Sequence, residues 1–178
     1  MPLALFITWT TYGTWMPGDS RGYVSAMLGE NGVYAPIRNQ RGAPFASDDP
    51  RTLAAARRLQ KHDTVWLNAT QALAAAEAIR DAAQKRNWSI IRAAIMANHI
   101  HTLTTACPDD GPMAMRIFKG VSSTTLSDLV GHPGRWWTRG GSCRYLHSEK
   151  AITAVSKYIR NQQKILCEIA NMQIKPPR

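Results

Sequence analysis

The chain has 178 residues, with 22 Lys and Arg against 12 Asp and Glu for a formal net charge of +10, and 44% of it is hydrophobic while 19% is charged. That length holds one ordinary domain and is short for two, and the apolar content excludes a disordered chain. The positive surplus points to an anionic partner, nucleic acid first.

The N-terminal run MPLALFITWTTYGTW has no basic leader and reaches Thr8 after a short apolar stretch. It is expected to be neither a signal peptide nor a membrane span. Within it, Leu3 to Thr11 is rich in Ile, Thr, Phe and Trp, which suit a pleated half-buried surface, so a first strand is predicted there, stopping at Gly13. From Gly13 to Asp49 many Gly and Pro occur without a sustained period, and a stretch of this kind inside a compact domain is usually functional or partly disordered. Asp49-Pro50 then reads as an N-cap followed by proline in the first turn, opening a helix from Arg51 to Gln60.

Asn68 and Gln71 make a capping-box pair ahead of ATQALAAAEAIRDAAQKRN, in which Ala72, Ala76, Ile79 and Ala83 follow helical spacing. Trp88 to Ile95 and His99 to Thr105 are two strand-like runs separated by Met96-Ala97-Asn98, which predicts an antiparallel hairpin. Asp110 to Leu129 reads as a helix with Met113, Ile117, Val121 and Leu126 as its apolar stripe, followed by a Pro/Gly/Trp loop from His132 to Arg139 and a strand from Ser142 to Leu146. A last helix is predicted from about Ser148 to about Ala170, with Ile152, Val155, Ile159, Leu166 and Ile169 facing inward. This order is an α+β pattern, helices packed on an antiparallel sheet, with no internal repeat.

Cys107, Cys143 and Cys167 are odd in number and widely spaced, matching neither a disulfide framework nor a zinc module, so reduced thiols in a soluble, cytoplasmic protein are expected. The pair His99 and His101 is more informative. On a strand, residues two apart face the same way with Cα atoms roughly 6.6 to 6.8 Å apart. Both imidazoles can therefore aim at one ion while Ile100 turns to the core. Two partly buried histidines on an ordinary sheet face are equally compatible with this spacing. In KYIRNQQ, Tyr158 and Gln162 are four apart and would share one face of the predicted helix, the phenol near a phosphate and the amide oxygen as a third ligand. Each, taken alone, also fits a plain amphipathic helix.

Together, Met96-Ala97-Asn98-His99-Ile100-His101 followed by the late Tyr158-x-x-x-Gln162 resembles the single-tyrosine HUH transposases, which include the REP-associated tyrosine transposases. TWTTYGTWMPGDSRG and RWWTRGGSCRYLH are similar to segments of one subgroup. The resemblance implies a ferredoxin-like antiparallel sheet with the histidines on a central strand. It implies Tyr158 as nucleophile, and His99, His101 and Gln162 as ligands of Mg²⁺ or Mn²⁺. The expected reaction cleaves and rejoins single-stranded or hairpin DNA through a 5′-phosphotyrosine, by a monomer or a homodimer. Residues 13 to 66 are longer than compact members need, which marks an insertion in a single 1–178 domain.

Tyrosine suits such chemistry because phenolate, with a reference pKa of about 10, leaves far more readily than an alkoxide. Two neutral imidazoles and an amide oxygen leave positions open for phosphate and water, unlike a closed zinc site. Arg21, Lys119, Arg135, Trp136, Arg139 and Arg144 are candidate DNA contacts, a mixture suited to holding phosphates and stacking unpaired bases. A non-catalytic DNA-binding protein of the same fold, and a metal phosphodiesterase using water, remain alternatives.

Overall fold

The computed structural model describes residues 2–20, 49–105, 107, 110–131 and 134–175. It divides into two compact units, Gly13–Thr64 and a larger one made of Met1–Tyr12 with Val65–Arg178.

The smaller unit contains α1 (Pro50–Arg58). Asp49 caps it as predicted, its carboxylate accepting from the Arg51 and Thr52 amides at 3.0 and 3.2 Å and from the Thr52 hydroxyl. These bonds, the Thr52 hydroxyl first, hold the carboxyl below its usual pKa.

The larger unit is built on β1 (Ala4–Thr10), β2 (Ser89–Met96), β3 (His99–Thr105), β4 (Ser142–Leu146), β5 (Ile165–Ala170) and β6 (Gln173–Lys175). They form one antiparallel sheet in the order β4-β1-β3-β2-β5-β6. The α+β architecture expected from the element order is present. β3, carrying the histidines, is a central strand between β1 and β2.

On one side lie α2 (Ala69–Gln84) and α3 (Gly111–Val130). The predicted capping box of α2 is complete, Asn68 accepting from the Gln71 amide at 2.9 Å while the Gln71 side chain accepts from the Asn68 amide at 3.0 Å. Its buried face is mostly alanine, Ala72, Ala75, Ala76, Ala82 and Ala83 around Ile79. Side chains this short let the helix backbone approach its neighbours closely. Phe118 of α3 fills the space between Trp9 and Trp88, with ring centroids 6.5 and 5.8 Å away. The apolar stripe of α3 differs from the expected one. Ala114, Met115, Phe118, Ser122 and Leu126 are buried, whereas Met113 is exposed and Ile117 and Val121 are half-buried. Ser122 tolerates burial because its hydroxyl donates to the Phe118 carbonyl at 2.6 Å.

On the other side lies α4 (Glu149–Arg160), capped by Ser148 and packed through Ile152, Val155 and Ile159 on Phe6, Ala94, Met96 and Leu103. The helix predicted to reach Ala170 ends ten residues earlier, at Arg160, and residues 165–170 are β5. Leu166 and Ile169 continue a helical period from Ile159, and a short apolar run fits strand and helix alike. The polar stretch Asn161 to Lys164, with Lys164 at φ 55°, turns the chain away from the helix axis. Pairing then decides: β5 covers the edge that β2 would otherwise expose.

Arg92 of β2 pairs with the buried carboxylate of Glu168 on β5, and its Nε donates to the Ser156 hydroxyl of α4 at 3.1 Å. This network ties the helix to the sheet two residues before Tyr158. Glu168→Ala, which strands a cation in a partly dry site, is expected to lower unfolding free energy by about 3 kcal/mol. Urea denaturation measures it, and a loss under 1 kcal/mol refutes a structural role for the pair. No described helix is long and apolar enough to cross a membrane.

Candidate active site

His99 and His101 stand on the face of β3 turned toward α4, with ring centroids 4.8 Å apart. Ile100 between them points the other way into the α2/α3 core and is fully buried. Alternation along the strand thus produces the shared face expected from the spacing.

His101 lies across from Thr8 of β1, and its Nδ1 is 2.7 Å from the Thr8 hydroxyl oxygen. Its Nε2 is buried and has no hydrogen-bond partner among the described residues. Burial first, and the neighbouring His99 second, push its pKa down to about 3. The imidazole is therefore neutral at physiological pH, the form in which a ring nitrogen offers a lone pair to a cation. His99 Nδ1 is 2.7 Å from the Asn98 Oδ1. An acceptor oxygen there selects the Nδ1–H tautomer and leaves the lone pair on Nε2.

Tyr158 sits in the last turn of α4, and its ring is 5.4 Å from that of His101 and 6.0 Å from that of Phe6. Val155 and Ile159 are buried against the sheet, which fixes the helix rotation and brings Tyr158 to the histidines of its own chain. The side chain is 51% exposed, so one flank of the ring rests on the sheet while the other meets solvent.

Gln162 is not on the helix, which corrects the expectation that it shares a helical face with Tyr158. It lies in the turn after the Asn161 cap, and its side-chain Nε2 donates to the Tyr158 carbonyl at 3.3 Å. That bond keeps Gln162 beside the tyrosine and uses the nitrogen end of the amide, leaving the oxygen end as the acceptor. Among the described residues no group of three His, Cys, Asp or Glu could hold a metal ion. A cation held here would have to take the two imidazoles together with oxygen donors of another kind. The donors fit a divalent cation that keeps open positions: His101 Nε2 is a buried polar atom with no other partner, beside a second oriented imidazole.

The other candidates separate into two groups. Arg135, Arg139 and Arg144 are exposed. The Arg135 guanidinium lies 5.5 Å from the Tyr12 ring centroid, and Arg144 of β4 pairs across from Phe6 of β1. Lys119 and Trp136 are committed to the fold instead. The Lys119 ammonium donates to the carbonyls of Thr138 and Gly140 at 2.6 and 2.8 Å, and burial lowers its pKa. Trp136 is buried with its indole N–H donating to the Ser127 hydroxyl at 2.9 Å. Both secure the Trp-rich loop, whose Gly141 passes so near β1 that a Cβ there would come within 2.6 Å of the Thr8 carbonyl oxygen. Arg21 lies outside the described residues. Sequence reasoning missed Thr8 and Asn98 as the partners that orient the two imidazoles. Asn98 was adjacent to the pair, while Thr8 is 93 residues away and only strand pairing reveals it.

Solved structures that resemble this chain include two of low sequence identity. The REP-associated tyrosine transposase bound to a REP hairpin is 15% identical with a TM-score of 0.49, the match covering 89% of this chain and 66% of that one. The present chain thus spans just under two thirds of that protein's length. A candidate transposase from Deinococcus radiodurans R1 is 16% identical with a TM-score of 0.41, covering 91% of this chain and 92% of the other. No curated protein matches. The sequence profile of the IS200-like transposases matches residues 59–162, more than half of the chain and a span that contains His99, His101, Tyr158 and Gln162. On that match, the chain belongs to the IS200-like transposase family.

Proposed function

We propose that the protein cleaves and rejoins single-stranded or hairpin DNA through a covalent bond to Tyr158. The observation that carries this is the meeting, in one chain, of an exposed phenol with two oriented imidazoles, one of which has a buried nitrogen without a partner. In the reaction the Tyr158 oxygen attacks the scissile phosphorus and loses its proton, and the P–O3′ bond breaks. The departing 3′ oxygen gains a proton, and the 5′-phosphate stays on the tyrosine. Rejoining is the reverse attack by a DNA 3′-hydroxyl, with phenolate as leaving group.

His99, His101 and the Gln162 oxygen are the groups that would hold Mg²⁺ or Mn²⁺. When bound, such an ion supplies charge neutralisation at the phosphate oxygens. The chain's own contributions are distinct. Thr8 and Asn98 fix the imidazoles, Phe6 and the Arg92–Ser156 bond fix the helix that carries the phenol, and the half-exposed ring leaves room for a DNA strand. Trapping the DNA adduct and mapping it to Tyr158 by mass spectrometry is the direct test. Cleavage with no adduct favours a water-using phosphodiesterase, and binding with no cleavage favours a non-catalytic DNA-binding protein.

The net charge of +10 supports a largely electrostatic attraction to DNA. If Arg135, Arg139 and Arg144 each neutralise one phosphate of a single strand, together they contribute about −2 to the slope of log K against log salt. Replacing all three by Ala should flatten the slope by that amount. An unchanged slope in the triple variant places the phosphate contacts elsewhere, and a flat slope in the parent protein removes DNA as the principal partner.

A further inference from the structure

We infer that Trp66, with Tyr12 and Arg135, forms a stacking platform for an unpaired base of the strand that enters the histidine site; this rests on the function proposed above. Trp66 is 60% exposed, although its neighbour Leu67 is buried in the core. Its backbone is held from both sides. The Val65 amide donates to the Tyr12 carbonyl at 2.9 Å, and the Leu67 amide donates to the Ala97 carbonyl at 2.8 Å. An indole on a segment stapled in this way is presented to solvent at little further cost in chain entropy, which is what a stacking surface requires.

The staples also fix where the Trp66 backbone stands. Ala97 lies in the hairpin turn two residues before His99, a step of at most about 7 Å, and hydrogen-bonded neighbouring segments lie about 5 Å apart. Trp66 is therefore within a few nucleotides' reach of the imidazole pair. Tyr12 belongs to the same end of the sheet. It follows Thr11, whose amide donates to the Asn98 carbonyl at 2.9 Å, and its own amide donates to the Trp136 carbonyl at 2.9 Å. Trp136 in turn follows Arg135, whose exposed guanidinium lies over the Tyr12 ring. An exposed indole, a phenol ring and a cation thus sit on segments linked through these hydrogen bonds to the turn that launches the histidine strand. Aromatic faces that hold bases beside cations that hold phosphates are the chemistry of single-stranded nucleic acid binding, and every base offers a face to stack. A protein partner of apolar surface would gain nothing from the guanidinium.

The test uses the full-length protein with two probes of equal length and charge, a thymidine 12-mer and a fully abasic 12-mer. The parent protein should bind the thymidine strand more tightly. Trp66→Ala should weaken that binding by about tenfold and leave the abasic strand unaffected, while Trp66→Phe should keep most of the difference. Thermal melting of each variant reports its folding, and an exposed position predicts little change. Equal loss on both strands, or no loss on either with a folded variant, overturns the platform. Adduct formation at Tyr158 is scored separately on a cleavable hairpin. An adduct in a protein whose Trp66→Ala variant binds the thymidine strand normally overturns this inference alone, whereas absence of the adduct overturns the proposed reaction.

Discussion

Tyr158→Phe is expected to abolish DNA cleavage and the covalent adduct while leaving the protein folded. The substitution removes one oxygen from a ring that is half exposed and keeps the edge contacts to Phe6 and His101. Stability should shift by no more than about 1 kcal/mol, the worth of an ordinary hydrogen bond. Affinity for hairpin DNA should change little, because the hydroxyl is needed for bond formation more than for docking. Tyr145 cannot substitute: it sits on β4, with its hydroxyl accepting from the Gly111 amide at 3.1 Å. The measurement is single-turnover cleavage of a hairpin oligonucleotide in Mg²⁺ or Mn²⁺. A Phe variant that cleaves at the parental rate, or an adduct on another residue, ends the case for Tyr158.

The second large effect belongs to the histidines. His99→Ala and His101→Ala should each reduce cleavage to below about one thousandth of the parental rate, as charge neutralisation by a bound ion is worth several kcal/mol and each 1.36 kcal/mol is tenfold. Chelation by EDTA should copy the effect. The two variants should differ in their side effects. His101 is buried and bonded to Thr8, so its loss opens a small cavity and leaves the Thr8 hydroxyl without that partner, costing about 1 to 3 kcal/mol of stability. His99 is only partly buried, and its loss should cost less. Gln162→Ala should be the mildest for cleavage, since water can take the place of an amide oxygen. Calorimetric titration with Mn²⁺ gives a readout independent of activity: the parent should bind and both histidine variants should not. Full activity in EDTA contradicts the metal assignment.

The sequence by itself determined most of the scaffold and which residues are candidates for the reaction. The strand from Leu3, the Asp49 and Asn68 caps, the hairpin around Met96 to Asn98 and the shared face of His99 and His101 are local matters, settled by side-chain periodicity and capping chemistry within a few residues. The +10 charge and the His-x-His with a late Tyr narrowed the chemistry in the same way. Tertiary structure decided everything that depends on a distant partner. Residues 165–170 are a strand because β2 needed an edge partner, and this moved Gln162 off the helix and into the turn. Lys119 and Trp136 look like DNA contacts in sequence, yet their polar atoms close on Thr138, Gly140 and Ser127. Thr8 became the orienting partner of His101, and Tyr158 its neighbour, because β1, β3 and α4 pack together across 150 residues of chain. A side chain's chemistry is written in its own identity, but whether its polar atoms face solvent, backbone or one another is fixed only when the layers close.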